Sequence, residues 1–386
     1  MMAVWNRRLR FGGGGPPLRR GMLTAGVVLL AIVTLIATLA FSVANLFVYD
    51  SVLLASLGAI ALTVLTGTAG QVSIGNSAFL AVGGFGTVWA IRAGVPFPLD
   101  IVIATLLAAL VGLVVGLPGV RLRGLELALA TLAAFFIVQY ATNQYEIDTP
   151  GGSAGFTIPT LFGSKGLVDG QKYWAWLLFA VLALVIVGAH LLSRGRMGRA
   201  LRIIRDHELI APSLGVPVTR YKLLIFTLSS AVIGLQGSLF AYFLGSVTSG
   251  TYTLTLAIQY LAMVIIGGLD SIVGAIVGAA IVTALPTLMT NVLTPLMGLQ
   301  AGIDAPQIAS ITYFALLIVM LTMAPEGIAP WFGRMFWAVW ARRPERTPEG
   351  QSGPSPGSER GPHAPGSAQQ AGAAELPKDT RVLVRR

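Results

Sequence analysis

The chain has 386 residues, of which 55% are hydrophobic and 11% charged, whereas about a quarter of residues are charged in a soluble domain. This composition excludes an ordinary soluble protein and favours one that lies mostly within a membrane. The chain contains 0 Cys, and its 3 His are far apart, so we expect neither disulfides nor thiolate chemistry nor a metal site. The net charge of +10 gathers in short segments between or beyond the apolar runs, which argues against nucleic-acid binding.

Apolar runs of about 20 residues, enough to cross a hydrocarbon core of about 30 Å, recur along the chain. Their continuity indicates helices and not a β-barrel. Five arginines precede the first run, which is too long for the apolar part of a signal peptide, so we expect a retained span. We predict an all-α fold, a polytopic membrane helix bundle of about ten transmembrane helices, at residues 22–43, 51–67, 77–93, 99–118, 125–143, 173–193, 223–245, 254–269, 272–291 and 307–324.

An even number of crossings places both termini on one side of the membrane. The basic residues then fall in both termini and in the linkers after the fourth and sixth spans, which predicts that these segments are cytoplasmic. The longest outer loop would be 144–172. We predict a basic tail at 1–21, a transmembrane domain at 22–332 and a cytoplasmic tail at 333–386, disordered after about residue 343 because it is rich in Pro, Gly and Ser.

Small residues recur four apart in two of the predicted spans. Gly112 and Gly116 form one pair, and Gly274 and Gly278 form another. This spacing lets helix backbones approach closely, either within one chain or between subunits. We expect packing within this chain.

The charged segment 198–222 lies between two apolar runs. Its apolar residues recur at helical spacing, which predicts an amphipathic helix outside the bilayer with a face formed by Ile203, His207, Ile210, Ala211 and Leu214. The charge alone favours a solvated cytoplasmic loop. An apolar face would serve no purpose in such a loop, so we expect another protein to cover it.

The stretch GRALRIIRDHELIAPSLGVPVTRYK at 198–222 resembles the cytoplasmic coupling segment of permease subunits of binding-protein-dependent ABC importers. More narrowly, it is similar to the LivM type of branched-chain amino acid permease. Three further stretches agree in the same order: GQVSIGNSAFLAVGGFG at 70–86, LRGLELALATLA at 122–133 and VIIGGLDSIVGAIVGAAIV at 264–282. The resemblance covers roughly residues 50–325 and implies the permease fold of type II ABC importers.

The resemblance implies a mechanism. In that family the coupling helix docks in a groove of a cytoplasmic ATPase, whose closure on ATP switches the pathway between its two openings. Glu208 and Gly215 match the motif, and the expected ATPase-coupling residues are Arg199, Arg202, Ile203, Arg205, Asp206, Glu208, Ala211 and Gly215. Pro212 departs from the family pattern and predicts that the docking element consists of two short helices, because proline interrupts a helix.

The chain itself lacks the means to hydrolyse ATP. None of its lysines follows a glycine, as a P-loop requires, so no bound cofactor is expected and ATP and Mg²⁺ would bind to partners. The resemblance implies two cytoplasmic ATPase subunits, a second, LivH-type permease subunit and an extracytoplasmic solute-binding protein. It places the complex in a bacterial plasma (inner) membrane.

Uncharged polar residues are the candidates for a solute pathway. The ionisable candidates Glu126, Asp270 and Glu326 fall near predicted cytoplasmic span ends and indicate no proton relay. Interrupted helices can bind polar solutes inside a membrane. The pathway residues we predict, at the Gly-rich start of the third span and along the fifth, are Gln71, Ser73, Asn76, Ser77, Thr131, Gln139 and Asn143. Each is equally compatible with a hydrogen bond between helices.

The substrate class stays open at this point. The family commonly has His at the position of Asn76, Glu at Phe136 and Arg at Gln139, and these departures change what the lining can bind. Branched-chain amino acids are the substrates that we favour, and urea, amides or sugars are alternatives. A stand-alone secondary transporter or channel would need an ion site or selectivity ring at mid-membrane depth, where no acidic residue is expected. A membrane enzyme would need a catalytic constellation that the sequence lacks.

Overall fold

The computed structural model describes residues 20–288 except 123, 153, 160 and 162–166, together with residues 314, 315 and 318. Most of the predicted N-terminal tail, nearly all of the tenth predicted span and the whole C-terminal tail lie outside the described residues. The predicted domain boundaries therefore stay predictions.

Ten α-helices form most of the described part of the chain. They are α1 Arg20–Ala40, α2 Val43–Thr63, α3 Asn76–Arg92, α4 Leu99–Gly119, α5 Leu125–Asp148, α6 Leu167–Arg194, α7 Arg196–Asp206, α8 Val218–Leu244, α9 Leu254–Gly267 and α10 Ile272–Leu288. A π-helical turn, Val64–Thr68, continues α2. Two short strands, β1 Phe156–Thr157 and β2 Ser246–Val247, pair antiparallel. Each of the first nine predicted spans overlaps one of these helices, whereas α7 is the predicted extramembrane helix.

Six described helical stretches are long and apolar enough to cross a membrane: Val43–Thr68, Leu99–Gly119, Leu125–Asp148, Asp169–Arg194, Val218–Leu244 and Ser249–Gly267. Two shorter apolar helices, Gly26–Ala40 and Ile272–Thr287, accompany them. The polytopic helical architecture is thus confirmed, but the count of about ten crossings is not established. The helix α3 has 17 residues and rises about 26 Å at 1.5 Å per residue, less than a 30 Å core.

Small residues bring the central helices α3, α4 and α8 into backbone contact. A Cβ atom on Gly83 would lie 2.0 Å from the carbonyl oxygen of Gly234, and one on Gly237 would lie 2.1 Å from that of Leu80. The predicted GxxxG pairs behave in the same way. A Cβ on Gly112 would lie 2.4 Å from the Cβ of Ser230 in α8, and one on Gly278 would lie 2.0 Å from a carbonyl oxygen of α9. Packing within the chain is confirmed.

The bundle has two ends that differ in what closes them. The end that carries α7 also holds the turn and loop of residues 64–75 between α2 and α3, and the start of α8. We call it the α7 end. The opposite end carries the β1–β2 pair, in which Phe156 is opposite Val247. We call it the β end, and it holds the described part of the predicted outer loop.

Candidate functional site

The predicted coupling segment folds as two short helices. α7 ends at Asp206, and a separate 3-10 helix, Ala211–Leu214, follows after a turn. Pro212 lies in the first turn of that second helix, where its missing N–H costs nothing. Gly215 then closes the segment in the left-handed conformation, with φ of 75°. The two-helix form that Pro212 predicts is therefore present. The prediction of a single amphipathic helix across residues 199–211 was wrong.

The apolar side chains of the segment divide into an inner and an outer group. Leu201, Ile204 and Ala211 are buried against the bundle. Ile203 is half-buried and His207 is exposed, so the predicted continuous apolar face does not form. The outer group consists of Leu209, Ile210 and Leu214, which are 76%, 54% and 63% exposed. We call these three residues the 209–214 surface.

Arg205 points back into the bundle. Its guanidinium donates a hydrogen bond to the carbonyl oxygen of Gly67 in the π-helical turn. A guanidinium nitrogen lies 3.7 Å from a carboxylate oxygen of Asp270, between α9 and α10, and another lies 3.2 Å from Asp206. Gly70 packs against the same side chain, since a Cβ there would lie 2.8 Å from the Cγ of Arg205. Arg205 therefore joins α7 to two loops of the bundle.

Glu208 forms an ion pair inside the chain. The Nζ of Lys222, in the second turn of α8, donates to its carboxylate at 2.6 Å. Lys222 is only 6% exposed. The carbonyl oxygen of the same lysine accepts a hydrogen bond of 3.3 Å from the side-chain amide of Gln71. A buried ammonium needs such a partner, because an unpaired buried charge is strongly unfavourable.

The remaining charged residues among the predicted coupling residues contact groups that are close to them in sequence. Arg202 donates to the carbonyl oxygen of Ser193 at 2.7 Å, which fixes the junction between α6 and α7. Arg199 is exposed and donates to the carbonyl oxygen of Arg194 at 3.3 Å. Asp206 is exposed beside Arg205. The coupling segment is thus anchored by its charged residues and presents apolar ones outward.

Five of the seven predicted pathway residues lie together, buried at the start of α3 or beside it on α5. They are Gln71, Ser73, Asn76, Ser77 and Thr131. The hydroxyl of Thr131 accepts a hydrogen bond of 3.1 Å from the backbone N–H of Ile74 and donates to Ala128 at 2.9 Å. Within the described part of the chain, Ser73 Oγ, Asn76 Oδ1 and Ser77 Oγ have no hydrogen-bond partner. Such unpaired buried oxygens are uncommon in folded proteins.

Gln139 and Asn143 lie further along α5, at the β end. Gln139 donates to the carbonyl oxygen of Ser249 at 3.0 Å, and Asn143 accepts from the hydroxyl of Ser249 at 3.3 Å. The carboxylate of Glu146 accepts from the backbone N–H of the same residue at 2.7 Å. Eight helical residues, about 12 Å, separate Thr131 from Gln139. The predicted pathway residues thus form two groups, one around Thr131 and one around Gln139 of α5.

Two buried carboxylates were missed by the sequence analysis. Asp50 accepts a hydrogen bond of 2.8 Å from the side-chain amide of Gln171, and Asp100 accepts one from the hydroxyl of Tyr242. Both are 0% exposed. The predicted second span began at residue 51, which left Asp50 outside it, whereas α2 begins at Val43. The named candidates Glu126 and Asp270 are exposed at the α7 end, and Glu326 lies outside the described residues.

A protein-family model described as the permease component of branched-chain amino acid transport systems matches residues 42–321 of this chain. The chain is 33% identical over 238 residues to LivM, a high-affinity branched-chain amino acid transport system permease protein of Escherichia coli (strain K12), and the match covers 54% of this chain and 55% of that protein. It is 32% identical to LivM of Salmonella typhimurium (strain LT2), with the same coverage.

A more distant relative belongs to a different import system. The autoinducer 2 import system permease protein LsrC of Enterobacter sp. (strain 638) is 28% identical over 226 residues, which are 58% of this chain and 62% of that protein. The chain spans about half the length of the LivM proteins it matches. No solved structure matches.

Proposed function

The chain belongs to the family of permease components of branched-chain amino acid transport systems, and on that premise we propose that it is a permease subunit of an ABC importer for branched-chain amino acids. Members of this family are transport components and not enzymes. The observation that carries the proposal is the 209–214 surface. It is apolar and exposed, and its residues lie between the stretches Asp169–Arg194 and Val218–Leu244 and outside both of them.

The occupant of the 209–214 surface is a cytoplasmic ATPase subunit. The distribution of charge supports this side of the membrane, because the basic residues that cluster at the α7 end are Arg194, Arg196, Arg199, Arg202, Arg205, Arg220 and Lys222. Cytoplasmic loops are enriched in Lys and Arg. The α7 end is therefore cytoplasmic in the proposal, and the β end with its loop faces the extracytoplasmic side, both termini being cytoplasmic in a bacterial plasma (inner) membrane.

Energy and solute capture come from partners. No lysine of the chain follows a glycine, so the proposal assigns ATP and Mg²⁺ to two ATPase subunits and no cofactor to this chain. A second, LivH-type permease completes the membrane part. An extracytoplasmic solute-binding protein delivers the solute to the β end.

The solute passes the two polar groups, one around Thr131 and one around Gln139 of α5. The first contains Thr131 and the unpaired oxygens of Ser73, Asn76 and Ser77, and the second contains Gln139 and Asn143. A buried polar atom without a partner is unfavourable, and a polar solute or water supplies the missing partner when the pathway opens.

A second substrate class has its own support. The relative LsrC belongs to an import system for autoinducer 2, so the substrates of the chain's relatives are not confined to amino acids. Asn76, Phe136 and Gln139 replace residues that the family commonly has as His, Glu and Arg. The second candidate is the same machinery importing urea, amides or sugars.

Reconstitution of the complex in proteoliposomes tests the proposal. We expect uptake of labelled leucine only when ATP and the loaded binding protein are both present. Competition by unlabelled valine, urea, acetamide or ribose separates the two substrate classes. Uptake by this chain alone, driven by an ion gradient, would contradict the importer and favour a secondary transporter or channel.

A further inference from the structure

The loop of residues 64–75 lies between the coupling segment and the buried polar group. On one side it contacts α7 through Gly67 and Gly70, and on the other it contacts α5 through Ile74 and Gly75. A Cβ on Gly75 would lie 2.0 Å from the carbonyl oxygen of Thr131, so the loop has no free space on the α5 side. We call this segment the 64–75 loop.

The first tie between the coupling segment and the 64–75 loop is Arg205. Its guanidinium uses Nη1 toward the Gly67 carbonyl oxygen and the Asp270 carboxylate and Nε toward Asp206, whereas a lysine would have one nitrogen for all three. The side chain is 27% exposed and also packs on Gly70. A displacement of α7 therefore acts directly on the end of the π-helical turn.

The second tie is the path from Glu208 through Lys222 to Gln71. The carboxylate holds the ammonium at 2.6 Å, and the backbone carbonyl of the same lysine holds the Gln71 amide at 3.3 Å. Gln71 is buried and precedes Ser73 and Asn76 by a few residues. The two ties thus hold the 64–75 loop at two positions, Gly67 and Gln71.

Neither tie belongs to the 209–214 surface. The partners named for Arg205 and Glu208 are groups of the chain's own bundle, whereas Leu209, Ile210 and Leu214 are exposed. We propose that Arg205 and the Glu208–Lys222 pair are positioning residues, which transmit movement of the coupling segment to the 64–75 loop and so to the polar group around Asn76. This inference rests on the proposed function and assigns to Arg205 and Glu208 a role inside the chain and not at the ATPase interface.

A thiol in the 64–75 loop reports the movement. The chain contains 0 Cys, so Val72→Cys introduces a single thiol at a half-buried position of the loop. The complex with its ATPases and binding protein is trapped with ATP and vanadate, and the rate of maleimide labelling is compared with the untrapped complex. We expect the labelling rate to change on trapping in the Val72→Cys parent, because the accessibility of the thiol changes when the loop moves.

The variants Arg205→Ala and Glu208→Gln are placed in this parent. We expect each to copurify with the ATPases as well as the parent does, to lose the change in labelling on trapping, and to import less solute per ATP. Arg205→Lys is expected to recover part of both signals, because it keeps the charge beside Asp270. Arg196→Ala is the matched control, since Arg196 is exposed in the first turn of the same helix, and it is expected to behave as the parent.

Three outcomes overturn the inference. Loss of ATPase copurification in Arg205→Ala would assign Arg205 to the docking surface. A full labelling change in both tie variants, or no change in the parent, would show that the ties transmit nothing to the 64–75 loop. Failure of the proposed function is distinct, because the parent complex would then show no ATP-dependent uptake before any tie is altered.

Discussion

The two ends of the bundle are stabilised by different kinds of contact. At the α7 end, Arg205 and Lys222 form ion pairs with Asp270 and Glu208. Each of the two also makes one hydrogen bond to the 64–75 loop, which is far away in sequence. At the β end, Phe156 packs 6.2 Å from Phe85 and 5.5 Å from Tyr145, measured between ring centroids, and β1 pairs with β2. The Arg205–Asp270 pair is partly exposed, so it contributes only about 0–1 kcal/mol and can exchange partners, whereas removal of a buried aromatic side chain costs about 3–5 kcal/mol. The α7 end is suited to move, and the β end to stay fixed.

The largest effect on stability is expected at the fixed end. Phe156→Ala removes a side chain that is 5% exposed and contacts Phe85, Tyr145 and Arg92. We expect the free energy of unfolding to fall by about 3–5 kcal/mol. A thermal melt of the purified protein measures the loss, and Phe156→Leu, which keeps most of the volume, should lose less. The ratio of solute imported to ATP hydrolysed should stay at the parent value, and a changed ratio would remove the distinction between the two ends.

Variants of the Glu208–Lys222 pair separate effects on stability from effects on coupling at the α7 end. Glu208→Ala leaves the ammonium of Lys222 buried without this partner, and we expect a loss of about 3 kcal/mol. The double variant Glu208→Gln with Lys222→Met removes both charges and is expected to recover most of the stability, since buried ion pairs are replaceable by uncharged residues. Import per ATP should remain low in the double variant. Recovery of both quantities together would reduce the pair to a structural role.

The 209–214 surface is expected to affect partner binding alone. Leu214→Ser changes a side chain that is 63% exposed, so the free energy of unfolding should change by no more than about 0.5 kcal/mol, as for other surface substitutions. We expect the affinity for the ATPase to fall about tenfold, which is about 1.4 kcal/mol. Copurification and titration of the ATPase measure it. Ser213→Ala, at the exposed neighbouring position, is the control. Normal ATPase binding by Leu214→Ser would leave the surface without its proposed occupant.

The helices were predictable from the sequence because their signals are local. Continuous apolar runs set nine of the predicted spans, and Pro212 and Gly215 set the break and the end of the coupling segment. The apolar face of that segment was not predictable, because helical periodicity assumes one helix. Once the helix ends at Asp206, the register changes, and Leu209 becomes exposed while Ala211 becomes buried.

The ties were beyond sequence reasoning for a related reason. Gly67 and Arg205 are 138 residues apart, and Gln71 and Lys222 are 151 apart, so no periodicity or spacing relates them. The same holds for Asp50, whose partner Gln171 lies 121 residues away. The direction in which each side chain of the coupling segment points depends on the packing of helices that are remote in sequence, and the part these residues play in coupling stays a prediction.

The smallest effect is expected for Arg92→Gln at the β end, and it provides the sharpest comparison with Arg205. Arg92 is exposed, lies 5.0 Å from the ring centre of Phe156, and donates to the carbonyl oxygen of Pro150 at 2.8 Å. Loss of an exposed cation–π contact costs about 0.5–1 kcal/mol, and we expect a correspondingly small fall in the melting temperature.

Arg205→Gln removes a partly exposed ion pair and a hydrogen bond, a loss of similar size. If the two variants melt alike, only Arg205→Gln should lower import per ATP, because the arginines then differ in what they connect and not in how much they stabilise. Equal transport defects in both would show that any small destabilisation impairs coupling, and the contrast between the ends would lose its functional meaning.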